Sequence, residues 1–153
     1  MALGSVTELE IFTAVKARIV AAGGWFATPD LAIHFGRRAP NADDKPYVVV
    51  AVEEQDDPDI ESDGAVAQKF LVEILALANG PSDAESAAAA VMALDPVWTA
   101  SSPGLTLTDT DRGVVAAVPK SGKLRLLERL KAGKDEYTAT RRWDVWTGAL
   151  LGV

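Results

Sequence analysis

The sequence contains no cysteine, a single histidine and only two methionines among its 153 residues. The missing thiols exclude a disulfide framework and thiolate metal sites, and one imidazole cannot build a zinc centre, so carboxylates are the only groups left that could gather round a cation. Long apolar runs are missing too: the longest, Phe70–Ala78, is too short and too interrupted to span a bilayer. The opening Met1-Ala-Leu-Gly-Ser has neither a basic segment nor a continuous apolar one of the kind that directs export, so a soluble chain without a visible signal is expected. The expectation is thus no metal, no cofactor and no membrane partner.

What is present suits one compact α+β domain spanning 1–153. Hydrophobic residues make up 48% of the chain, and a domain of this length buries roughly 68–70% of its unfolded surface without needing staples. The net charge of −7 is unevenly spread: between Asn41 and Asp95 there are 13 Asp/Glu against 2 Lys/Arg, whereas Pro119–Val153 carries 8 Lys/Arg against 4 Asp/Glu. Complementary halves of this kind suit head-to-tail self-association or docking between unlike partners, although solvated surface of mixed sign accounts for them equally simply. Basic residues spread along one segment of an acidic protein do not form the concentrated positive face that duplex binding needs, so sequence-specific nucleic-acid recognition is not expected.

The stretch Gln68–Leu94 organises the rest. Phe70, Val72 and Ile74 alternate with Leu71, Leu75 and Leu77, with Glu73 as the only interruption, which predicts a central strand covered on both faces. After Gly80-Pro81, the spacing Ser82-x-x-Glu85 predicts a capped helix running to Leu94, where Asp95-Pro96 stops it. Upstream, Ser5-x-x-Glu8 and Thr7-x-x-Glu10 both fit a capping box, and Leu9, Phe12, Val15, Lys16 and Ile19 predict an amphipathic helix over Thr7–Ala22 that Gly23-Gly24 ends. Strands are predicted at Leu31–Phe35 and Pro46–Glu54, the latter followed by an acidic loop over 53–64. Later candidates are Leu105–Thr108, Val114–Val118, a segment Leu124–Leu130 that suits strand or short helix, a hairpin loop at Lys131–Asp135, and a long closing strand over 137–147. The pattern is a mainly antiparallel or mixed sheet packed against two helices.

Motifs that would carry chemistry fail on inspection. Asp59–Gly64 imitates the start of a calcium loop, but the position that must supply a bidentate glutamate is Phe70. Lys120-Ser121-Gly122-Lys123 resembles a phosphate loop, yet Ala117 and Leu124 stand where glycine and a hydroxyl residue are required. His34 has no nucleophile at motif spacing, and Asp109 and Asp111 sit in a Thr/Gly turn where aspartate ordinarily satisfies local backbone. No catalytic residue is therefore assigned. The closing strand places Tyr137, Ala139, Arg141, Trp143 and Val145 on one face and Thr138, Thr140, Arg142, Asp144 and Trp146 on the other. Arginine and tryptophan together are enriched at protein interfaces, which makes Arg141, Arg142, Trp143 and Trp146 candidates for contact with another chain; the alternative puts Trp143 in the core with Trp146 over its edge. Asp56, Asp57 and Asp59 join them as contact candidates in the acidic loop.

The order of these elements resembles that of the tail-terminator, or tail-completion, proteins of long-tailed bacteriophages. The residues that carry the likeness are the helix Thr7–Ala22, the strand Pro46-Tyr47-Val48-Val49-Val50, the strand Phe70–Ala78 with its Gly-Pro-Ser break, the alanine-rich helix Asp83–Leu94 and the closing strand Thr138–Val145. The resemblance implies a homo-oligomeric ring, typically a hexamer, that caps the tail tube and joins it to the head-completion or connector protein, in a virion or host cytoplasm and of phage or prophage origin. It implies no active site. A loop Glu53–Asp63 facing the lumen or an axial surface would keep passing DNA from adhering, since phosphates and carboxylates repel. The alternatives are a ring-forming or adaptor domain without the terminator role, and a small-ligand binder or enzyme.

Overall fold

The computed structural model describes residues 6–29, 31–36, 46–55, 68–78, 80–96, 105–107, 112–119, 125–131 and 134–149. Helix α1 covers Glu8–Ala22, with Thr7 as its N-cap: the Thr7 hydroxyl accepts from the Glu10 N–H at 3.2 Å. Gly23 and Gly24, at φ 64° and 60°, end the helix in a backbone conformation that glycine tolerates, and Gly24–Ala27 then form a short 3-10 turn. The buried stripe of α1 is Ile11, Phe12, Val15 and Ile19. Leu9, expected on that face, is instead 58% exposed.

Strands follow at β1 (Ala32–Phe35), β2 (Tyr47–Gln55), β3 (Gln68–Ala78), β4 (Arg112–Pro119), β5 (Arg125–Lys131) and β6 (Lys134–Ala149), with helix α2 (Pro81–Ala93) between β3 and β4. They form one mixed sheet in the order β1-β2-β3-β6-β4, with β5 also on β6. Only β1 and β2 run parallel. Because β5 pairs with Lys134–Thr140 and β4 with Trp143–Ala149, the two lie end to end along the same outer edge of β6; the described strands are five wide at the level of β1 and β5 and four wide at the level of β4, where β1 has ended. The ambiguous segment before the hairpin is thus strand, and Lys131 pairs with Lys134 across the turn. The candidate strand at Leu105–Thr108 is not one in its described part: Leu105 and Leu107 are buried in irregular backbone.

Both helices pack on one face of the sheet. Val48, Val50 and Val52 of β2, Phe70, Val72, Ile74 and Ala76 of β3, and Ala139, Trp143 and Val145 of β6 join Ile11, Val15 and Ile19 of α1, Ala84, Ala87 and Val91 of α2 and its C-cap Leu94 in a single core. The small residues on α2 recur at helical spacing and let its backbone lie close to β3 and β6. The result is a two-layer α+β domain. This corrects the expectation that β3 is covered on both faces: among the described residues no helix lies on the second face, where Leu71, Glu73 and Leu75 are only half-buried.

The start of α2 also differs from the sequence reading. Its N-cap is Gly80 and no side chain caps it, so Ser82 lies inside the first turn rather than ahead of it. Pro81 explains this, since a proline with fixed φ and no N–H fits the first helical position and so puts the cap on Gly80, two residues ahead of Ser82. The first turn is anchored from outside: the Trp25 indole N–H donates to Asp83 Oδ1 at 2.8 Å, tying the 3-10 turn to α2. The segment ahead of α1 is fixed by Gln68. Its amide accepts from the Val6 N–H at 2.7 Å and donates to the Val6 carbonyl at 3.1 Å, standing in for a strand neighbour, and donates also to Glu54 Oε1 at 2.9 Å.

Candidate functional site

Two constellations of polar groups stand out, one on each face of the sheet. On the helix-covered face they meet at the C-terminus of α2. A helix C-terminus carries partial negative charge and unpaired carbonyls, and the last turn of α2 has no basic residue of its own. Asp95, just beyond it, adds a carboxylate where the helix field disfavours one. Cations from elsewhere in the chain resolve this. Arg18 of α1 donates from Nε to the Leu94 carbonyl at 2.7 Å and from Nη2 to the Asp95 carbonyl at 3.0 Å. Arg141 of β6 grips the Asp95 carboxylate with both arms of its guanidinium, at 2.9 and 2.5 Å, and the Trp143 indole N–H donates to the same carboxylate at 3.1 Å. The hydrogen bond that Arg141 donates to Asp95 holds the Arg141 pKa above its ordinary value against the opposing effect of burial. The cluster fastens α1, α2 and β6 together.

The open face carries the second constellation. Directly opposite pairs across β3 and β6 include Glu73 with Arg142 and Lys69 with Trp146. Arg142 Nε donates to Glu73 at 2.7 Å, and Lys69 Nζ lies 5.5 Å from the centre of the Trp146 ring. Beside them, Val49 and Ala51 of β2 and Leu71 and Leu75 of β3 line a depression of about 660 Å³, bounded by Glu53, Glu73 and Arg142. The depression continues over the side of β2 past the end of β1, where Phe35, Gly36 and Glu8 complete it. At the far end of the same face, Tyr47, Val49 and Leu77 form a small buried cluster, and the rings of His34 and Tyr47 stand nearly perpendicular with their centres 5.8 Å apart.

The chain matches no protein-family model and no curated protein sequence. Its site has to be judged on its own residues.

Of the contact candidates named from sequence, Trp143 is fully buried and Arg141 is turned inward onto Asp95, so both belong to the fold rather than to an accessible surface. Arg142, at 56% side-chain exposure, and the half-buried Trp146 remain on the open face. Asp56, Asp57 and Asp59 lie outside the described residues, as do Asp109, Asp111 and the Lys120–Lys123 segment. The structure brings together Glu73, Arg142, Leu71 and Leu75, a grouping that strand alternation alone leaves undefined because it does not say which face stays open. Asp95 was missed altogether, although an acidic residue at a helix C-terminus is itself a signal that cations must approach from elsewhere. Among the described residues no three His, Asp or Glu side chains gather to hold a metal ion, and no helix is long and apolar enough to cross a membrane.

Proposed function

We propose that this chain is a structural subunit of a phage tail, assembling into a homo-oligomeric ring, hexameric in the family it resembles, that caps the tail tube and joins it to the head-completion or connector protein. The observation that carries the reading is the sheet face that neither helix covers: its depression, rimmed by Glu53, Glu73 and Arg142, exposes Leu71 and Leu75 and runs over the side of β2 as far as Glu8 at the start of α1. Half-buried leucines flanked by charges suit a surface that another chain completes, with an apolar centre and a polar rim. The element order on which the resemblance rests, helix, strands, buried strand, alanine-rich helix and long closing strand, recurs among the described elements. The lopsided charge of the sequence adds two unlike surfaces, which a head-to-tail ring and two different neighbours both require. Such a subunit works by shape and needs no reacting group, and its place is the virion or the host cytoplasm.

Light scattering on the full chain across a concentration series, at low and moderate salt, tests this. A discrete ring-sized species weakened by salt is expected, together with binding to a tail-tube protein. A ring that ignores tail-tube protein points instead to a ring-forming or adaptor domain without the terminator role. A strict monomer that also fails to bind tube protein overturns the assembly reading and returns the depression to consideration as a small-ligand site.

A further inference from the structure

We propose that the two open edges of the sheet join copies of this chain to one another: the free end of β2 in one subunit accepts β5 of the next as an additional antiparallel strand. The proposal rests on the ring reading and names the surfaces that would close it.

The first edge is exposed because β1 is shorter than its neighbour. β1 pairs with Tyr47–Val50 and stops at Phe35, and the Gly36 N–H, donating to the Val50 carbonyl at 3.0 Å, makes the last bond of that ladder. Backbone groups alternate sides along a strand, so those of Val50 face β1, and those of Val52 and Glu54 face the same side beyond its end. Among the described residues no strand pairs with them. The second edge is β5, which among the described residues pairs through the side facing β6 alone. β4 shares that outer edge but carries an irregularity between Val114 and Ala116 and ends on Pro119, two features that discourage strand addition. β5 has neither.

Direction, position and charge agree. Each step β2 to β3, β3 to β6 and β6 to β5 is antiparallel, so β5 runs opposite to β2. A rotation about an axis near the strand direction therefore brings β5 of one copy beside β2 of the next in antiparallel sense, and such a heterologous contact makes a ring when the rotation closes. β5 lies level with residues 75–78 of β3, whereas the free end of β2 lies level with residues 69–72. Joining those diagonal corners staggers successive sheets along the strands, which is the shear that closing a sheet requires. Among the described residues, the depression beside the β2 edge is lined by the carboxylates of Glu8, Glu53 and Glu73 and by the guanidinium of Arg142. β5 reads Arg125-Leu-Leu-Glu-Arg-Leu-Lys131, three cations to one carboxylate. An acidic edge and a basic edge select each other and resist pairing with themselves, which a one-way ring needs.

Charge reversal with rescue tests the pairing. Light scattering is run on the full-length chain, on Glu53→Arg, on Arg129→Glu and on an equal mixture of the two variants. Each variant alone should assemble about tenfold or more weakly than the parent. The mixture should recover, because in an alternating ring the swapped charges meet at every second junction and the original charges at the others. Assembly unchanged in either variant, or loss in both without recovery on mixing, overturns the edge pairing while leaving a ring built through other surfaces. A parent chain that stays monomeric at every concentration overturns the pairing and the preformed ring together.

Discussion

Ile74 and Leu75 are neighbours in β3 and point to opposite faces of the sheet. Ile74 is wholly buried in the core shared with the two helices, while Leu75 is half-buried beside the depression on the open face. The same strand thus serves two purposes, closing the fold with one set of side chains and offering a surface with the other. Comparable hydrophobicity at alternate positions does not mean comparable burial. Truncation separates the two: Ile74→Ala removes buried methyl groups from a packed core and should destabilise the domain by about 2–5 kcal/mol. Leu75→Ala, which gives up only part of a side chain's burial, should cost roughly 1 kcal/mol. Urea unfolding of both variants measures the difference, and equal losses would mean that the open face is as much core as the covered one.

The helix-covered face can also be broken at its polar latch, with a smaller effect. Asp95→Ala leaves the inward-turned Arg141 and the Trp143 indole N–H without their shared acceptor, and the expected loss is about 2–3 kcal/mol. Arg141 itself introduces no pH dependence in the working range. Its pKa is raised in the folded state, so the stability it contributes is fully present below the ordinary guanidinium value and is lost only as pH rises through the higher folded one. Urea midpoints of the parent and of Arg141→Met should therefore differ by the same amount at pH 7 and pH 9. A gap that shrinks between those values would show that some other group governs the latch.

Much of the covered face was legible in the sequence, because its signals are local. Thr7, Gly23 and Pro96 mark helix ends by their own chemistry, and the alternation of β6 puts Trp143 and Val145 on one face, which proves to be the buried one, so that of the two alternatives for Trp143 the core placement holds. The structure departs from the sequence pattern where two local signals compete or where distant parts of the chain decide. Pro81 overrode the Ser82-x-x-Glu85 spacing at the start of α2. Leu71 and Leu75 are apolar enough to read as core, and nothing in their alternation reveals that both helices settle on the other side. The alternation of β6 offers Arg141 as a contact candidate, whereas its partner Asp95 is 46 residues away and the packing of α2 on β6 brings the two together. Coarse architecture followed from periodicity; which face stays open is a property of the assembled layers.

The gentlest test of that difference is the pair Arg142–Glu73, side by side on the open face with 56% and 33% of their side chains exposed. An ion pair in that setting is screened by water and salt and contributes little to folding, so Arg142→Ala should change unfolding stability by less than about 1 kcal/mol. If another chain covers the face, the same guanidinium loses its water, and removing it then leaves Glu73 buried without its partner. The variant should consequently weaken assembly far more than it weakens the fold, and its assembly should also lose part of the parent's sensitivity to salt. Urea unfolding and light scattering on one preparation give both quantities. A loss of stability well above that limit would make the pair part of the fold, and an assembly that is unaffected would remove Arg142 from the contact surface and leave the sheet edges to carry it.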